Sequence, residues 1–184
     1  QLVITIGKRM AGVINKNNSA NTREVVTISP WVDVQKIKPI KRSDNPYANE
    51  FTVPQDQIVI LYSGNMGLSH DIDSMLEAAL TLSNEPGLKF IFIGDGDKRK
   101  DIQAFIQSYE LKNITLFPFQ PESMIRYSLP IADISLVSLD QGMENLMVPS
   151  KSLYYLAAGS ALIGIANKNS ELSDIIEHNN CGLI

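Results

Sequence analysis

The chain has 184 residues, 44% of them hydrophobic, and a net charge of −4. That suits one ordinary domain, alone or with an appendage, and leaves no basic stripe for nucleic acid. The longest apolar runs are strand-length, so no segment is expected to cross a membrane. A single cysteine, Cys181, excludes an internal disulfide framework and fits a reducing compartment; with only His70 and His178 beside it, no structural zinc site is expected.

In chain order, LVITIG (2–7) reads as a short buried strand, and KRMAGVI sets Met10, Val13 and Ile14 at helical spacing. NKNNSANT is a loop, and EVVTISP is a second strand closed by Pro30. Residues 36–54 carry Pro39, Pro46, Pro54 and mixed charge, and read as a connection with at most irregular helix. A boundary inside it divides the chain into 1–36, a linker 37–56 and a main domain 57–184. Because the chain lacks an initiator methionine and a signal-like opening, and stops on CGLI where a strand would begin, it is expected to be a piece of a longer protein.

From residue 57 the order is regular. IVILYS (58–63) precedes a helix from Asp71, with Ile72, Met75, Leu76, Ala79 and Leu80 on one face. LKFIFIG (88–94) precedes a helix over 98–111, with Ile102, Phe105, Ile106 and Tyr109 in one stripe. NITLF (113–117) leads to PFQPE, where Pro121 suits the first helical position. A strand over 132–139, a helix at VPSKSLYYLAAG (148–159), a strand over 161–166 and a helix over 171–178 complete the series. Strands apolar throughout and alternating with helices predict an α/β fold, a Rossmann-like doubly wound parallel sheet.

Ligands of such sheets bind beyond the carboxyl ends of the strands, so the loops there hold the candidate site. In SGNMG, Gly64 and Gly67 let backbone approach a ligand, Asn65 adds a donor and acceptor, and His70 lies just beyond. GDGDKR places Gly94 and Gly96 like the start of a dinucleotide fingerprint, but Arg99 stands where the third glycine belongs and Asp95 and Asp97 would repel a pyrophosphate. Those aspartates are expected to shape the turn and cap the next helix. In FPFQPE, Gln120 and Phe119 could meet the edge and face of a base, the alternative being that Phe119 closes the core together with Phe117, which is expected there. Asp140 and Glu144 serve either sugar hydroxyls or solvent. In VPSKSLYYLAAG, Ser150 is the expected N-cap, Leu153, Leu156 and Ala157 the core face, and Gly159 a left-handed exit. Lys151 opens that helix, where a cation opposes the dipole; it is either a solvated surface lysine or the partner of a ligand phosphate.

Taken together, YSGNMGLSHDID, GDGDKR, FPFQP and VPSK-x-LYYLAAG resemble the C-terminal, donor-binding half of GT-B glycosyltransferases of family 4 (group 1). Within it they are most similar to the colanic-acid and exopolysaccharide branch, with KRM (8–10) and SPWVD (29–33) resembling the segments just upstream. The resemblance implies a nucleotide-diphosphate sugar as donor substrate, no cofactor and no metal. The base would lie near Phe119 and Gln120, with Gly94 beside it, and the diphosphate between Gly64, Asn65, Gly67 and the Ser150 helix. It assigns Lys151 and His70 to catalysis, His70 and Asn65 standing where relatives carry a cation. Leu146 and Tyr154 occupy the places of two usual glutamates, leaving Tyr154 to offer the ribose a hydroxyl. The implied reaction is a retaining sugar transfer to a glycan or lipid-linked acceptor, held by an N-terminal lobe, in a cytoplasmic protein with peripheral membrane contact left open. The alternative is a noncatalytic nucleotide-sugar-binding or scaffold module; a sugar-nucleotide epimerase is a weaker third, since no catalytic acids present themselves.

Overall fold

The computed structural model describes residues 1–18, 23–68, 70–139 and 142–184. It opens with β1 (Leu2–Thr5), α1 (Lys8–Asn17) and β2 (Glu24–Thr27), in which β1 and β2 pair in parallel. The burial expected for the first strand is not found: Leu2 and Ile4 are 60% and 59% exposed, and no element among the described residues covers that face of the two-stranded sheet. Besides pairing with β2, this opening segment makes polar contacts with the helix Glu171–Asn179. Arg9 forms a bidentate pair with Asp174 (2.7 and 2.9 Å), and its backbone N–H donates to Glu171 (2.6 Å).

The segment read as a connection contains a 3₁₀ turn (Arg42–Asp44) and α2 (Pro46–Glu50), and sends Ile37, Tyr47, Ala48 and Val53 into the main core. Asn45 caps α2 by accepting from the Tyr47 and Ala48 amides. Arg42 clamps the segment down: Nε donates to Ile131 O (3.2 Å) and Nη1 to Pro54 O and Gln57 O (2.8 Å each). Nη2 pairs with the Asp133 carboxylate, which also accepts from the Val59 amide (2.7 Å). Arg42→Ala would strip several carbonyls and a carboxylate of their donor at once. It is expected to cost about 2–4 kcal/mol, seen as a lower urea midpoint with an unchanged slope.

The main sheet comprises β3 (Ile58–Ser63), β4 (Leu88–Ile93), β5 (Ile114–Phe117), β6 (Ile134–Ser138), β7 (Ala161–Ile165) and β8 (Gly182–Leu183). All pairs are parallel and the order is β5-β4-β3-β6-β7-β8. The sequence reading counted five strands; the sixth, β8, is formed by the last few residues, which pair with Leu162 and Ile163. Between the strands run α3 (Ile72–Thr81), α4 (Arg99–Ser108), α5 (Glu122–Ser128), α6 (Lys151–Ala158) and α7 (Glu171–Asn179).

The doubly wound fold is borne out by the two faces of β3. Val59 and Leu61 face a core shared with α2, α6 and α7, whereas Ile60 and Tyr62 face one shared with α3 and α4. A strand covered on both sides has no polar face to show, which is why it reads as an unbroken apolar run. Asp71 caps α3 by accepting from Ser74 N (3.1 Å), and Ile72, Met75, Leu76 and Ala79 are buried as the spacing predicts. Helix ends differ elsewhere. Pro121 lies just outside α5, and Lys98, not an aspartate, precedes α4; Asp95 instead accepts from Gly96 N within its own turn.

Candidate functional site

The strand order places the reversal of the chain between β3 and β6, and there the sheet forks. β3 and β6 pair only at Ile60–Ile134 and Leu61–Ser135, after which β3 continues with β4 and β6 with β7. A doubly wound sheet opens its ligand crevice at such a reversal. A cleft of about 1000 Å³ lies at this edge, within the usual range for small-molecule sites.

Tyr155 holds the fork open without leaving backbone bare. Its hydroxyl accepts from Ser63 N (2.9 Å) and donates to Ser63 O (2.8 Å), so both groups that β6 would have engaged are satisfied by α6. Burial pushes the Tyr155 phenol above its ordinary range, which keeps it a neutral donor. This also corrects the expected face of α6. Ser152, Tyr155 and Ala158 point inward, while Leu153, Leu156 and Ala157 are only half-buried, because the hydroxyl must reach β3. Gly159 leaves the helix left-handed (φ 95°), as expected.

Ser150 does not act as an N-cap. It already has helical dihedrals, and the Ser152 and Leu153 amides donate to Pro149 O (3.0 Å) and Ser150 O (3.1 Å). Pro149 and Ser150 thus begin the winding, and no hydrogen bond among the described residues occupies the Ser150 or Lys151 amide. Lys151 turns back into the cleft. Its ammonium lies 4.6 Å from the Tyr62 ring centroid and 3.4 Å from the Tyr62 hydroxyl, and no carboxylate among the described residues pairs with it. Burial lowers its pKa to about 8.

The glycines before Lys151 serve the backbone first. Gly64 N donates to Ile93 O (2.9 Å), Met66 N to Asp95 O (2.8 Å) and Lys98 N to Met66 O (2.9 Å), so the loops after β3 and β4 interlock. A Cβ on Gly94 (φ +152°) would fall 1.9 Å from Gly64 O, and one on Gly64 would stand 3.1 Å from the Lys151 ammonium.

Of the residues singled out from sequence, Gly64, Gly94, Phe119, Gln120, Ser150, Lys151 and Tyr154 line this one cleft. Asn65 and Gly67 lie together in the neighbouring turn, outside it. His70 lines a second cleft with Asp73, Lys98 and Glu144; its ring centroid is 6.4 Å from that of Tyr62, so Lys151 and His70 share an aromatic neighbour. Backbone N–H donors hold the Glu144 carboxyl below its ordinary range. Asp140 lies outside the described residues. Phe117 packs against Tyr47 and Phe51, while Phe119 is 62% exposed at the cleft. The sequence reading missed Tyr62, Tyr155 and the α5 residues Glu122, Ser123 and Arg126. The two tyrosines sit in apolar runs and read as core, and α5 has too few turns for a face to be assigned.

Comparison with known proteins agrees with this architecture. The chain is 29% identical over 182 residues (98% of its length) to "Probable glycosyltransferase WbjE" of Pseudomonas aeruginosa. It is 28% identical over 177 residues (95%) to "Putative colanic acid biosynthesis glycosyl transferase WcaI" of Escherichia coli (strain K12). It spans 44% and 43% of those relatives' own lengths. Among solved structures it superposes on WaaG, a glycosyltransferase involved in lipopolysaccharide biosynthesis, with a TM-score of 0.75 at 16% identity, covering 98% of this chain and 48% of that one. It also superposes on Anabaena Alr3699/HepE in complex with UDP and glucose, with a TM-score of 0.72 at 15% identity, covering 99% and 48%. These likenesses establish the fold, and no helix among the described residues is long and apolar enough to cross a membrane. The family profile described as Glycosyl transferases group 1 matches residues 44–184, and the chain belongs to that family.

Proposed function

We propose that this chain is the donor-binding part of a retaining glycosyltransferase. It binds a nucleotide-diphosphate sugar and supports transfer of the sugar to a glycan or lipid-linked acceptor in polysaccharide biosynthesis. The observation that carries the reading is Lys151: a desolvated ammonium at the fork of a doubly wound sheet, beside two backbone amides, with no carboxylate partner for the one and no acceptor for the others among the described residues. An ammonium so placed is stabilised by an anionic ligand. A diphosphate supplies that charge, and more of it develops on the leaving oxygen as the glycosidic bond breaks. Lys151 and the opening of α6 would stabilise it without reorganising. Complexes of the Anabaena structural neighbour with UDP support the same ligand class.

Tyr154, 37% exposed on the cleft wall, offers its hydroxyl to the ribose. His70, edge-on to the Tyr62 ring, would approach the sugar side of the ligand from the adjoining cleft. The acceptor would be held by chain that this sequence does not include, in a cytoplasmic enzyme. UDP or GDP at a hundredfold excess over its Kd should raise the melting temperature by roughly 5–10 °C. No shift with either nucleotide at millimolar concentration would sink the reading. Turnover of a nucleotide sugar by the full-length protein separates an enzyme from a binding module.

A further inference from the structure

Beyond the phosphate end, the cleft is walled by the β5 exit and α5. Phe119 presents an exposed ring there, and Gln120, also in the cleft lining, donates its amide nitrogen to Pro118 O (2.9 Å). Glu122 and Arg126, one helical turn apart on α5, both line the cleft. No ion pair joins them or ties either to another described residue; the Arg126 guanidinium lies 4.6 Å from the Tyr127 ring centroid. The wall therefore presents a carboxylate and a guanidinium that have not spent themselves on each other.

The geometry points to a guanine nucleotide as the ligand, with Glu122 reading the base; this rests on the nucleotide-sugar reading above. A carboxylate only accepts hydrogen bonds. The Watson–Crick edge of guanine offers it two adjacent donors, N1–H and N2–H, in the parallel geometry that makes arginine–carboxylate forks strong. The O6 and N7 acceptors of the same base suit a guanidinium. Uracil brings a single N3–H flanked by two carbonyl oxygens, which a carboxylate repels, and adenine turns the N1 lone pair toward it. Glu122 thus attracts guanine and disfavours uracil and adenine, the two halves of a specificity determinant. Phe119 supplies the apolar surface against which the purine stacks.

The test is calorimetric titration of the protein and of Glu122→Gln with GDP, UDP, ADP and inorganic pyrophosphate, with circular dichroism to show that the variant folds. GDP should bind tighter than UDP or ADP by about tenfold or more. Glu122→Gln should erase that preference by weakening GDP and, with the repulsion gone, strengthening UDP, while pyrophosphate is unchanged. UDP binding as tightly as GDP, or a variant that weakens both alike, overturns the guanine assignment. Pyrophosphate binding with no preference among the bases overturns it too, while leaving the nucleotide-sugar reading in place. Silence from all four ligands overturns both.

Discussion

Lys151→Ala will weaken nucleoside-diphosphate binding on the order of a hundredfold, the 2–5 kcal/mol (roughly) expected when one member of a buried charge pair is removed. At a ligand concentration that protects the parent protein, the melting shift will vanish. The same lysine predicts a pH profile. Its pKa stands at about 8 in the folded chain against an ordinary 10.5, so the Lys151 ammonium is charged below about 8 and loses that charge above it. Affinity for a nucleotide sugar, whose phosphates carry no proton near neutrality, should hold steady below pH 8 and then fall by up to tenfold per unit. Lys151→Arg, charged at every accessible pH, should flatten that profile.

Stability without ligand should move the other way. Between about 8 and 10.5 the unfolded state binds more protons than the folded one, so the ligand-free protein gains stability as pH rises through that window. Lys151→Met, which keeps the aliphatic stem and drops the charge, should raise the ligand-free melting temperature while abolishing the response to nucleotide. A lysine with a merely structural role would give the opposite sign.

Gly94→Ala is the change expected to damage the fold most for the fewest atoms added. The new methyl carbon would meet the Gly64 carbonyl at 1.9 Å, a backbone atom that cannot swing aside, and the position has φ +152°, outside the comfortable range of alanine. A cost of roughly 3 kcal/mol or more should appear in the urea midpoint. Nucleotide binding should suffer with it, because the displaced carbonyl belongs to the turn packed on Lys151. The matched control is Gly12→Ala. Gly12 lies inside α1 with nothing within 4 Å of a built Cβ, and there alanine should be neutral or stabilising by about 0.5–1 kcal/mol. Equal losses at the two glycines would contradict the interlocked-loop account.

The sheet and its crevice were legible because burial on both faces imprints itself on sequence. A run such as IVILYS admits few other readings, and alternation with helices then determines where loops and ligands gather. Lys151 was legible for a local reason, a cation at a helix opening where the dipole disfavours it. What was not legible depends on distant partners. Ser150 looks like a cap by type, yet Pro149 already winds the chain and leaves it no capping task. Tyr155 looks like an ordinary aromatic; only the premature parting of β3 from β6 creates the bare backbone that its hydroxyl serves. Gly94 stands where a dinucleotide fingerprint would start and is assigned by resemblance to donor binding, whereas the neighbour that demands a glycine there is the carbonyl of another loop.

The hydroxyl of Tyr155 reaches a strand 92 positions earlier in the chain. The crevice therefore has no existence in any short stretch of the polypeptide: it comes into being only after distant parallel strands have found one another, an ordering that is intrinsically late and slow. A molecule lodged there grips the tertiary structure as a whole. Its binding energy would add to the stability of the fold as a unit, and no isolated peptide cut from either side could compete for it.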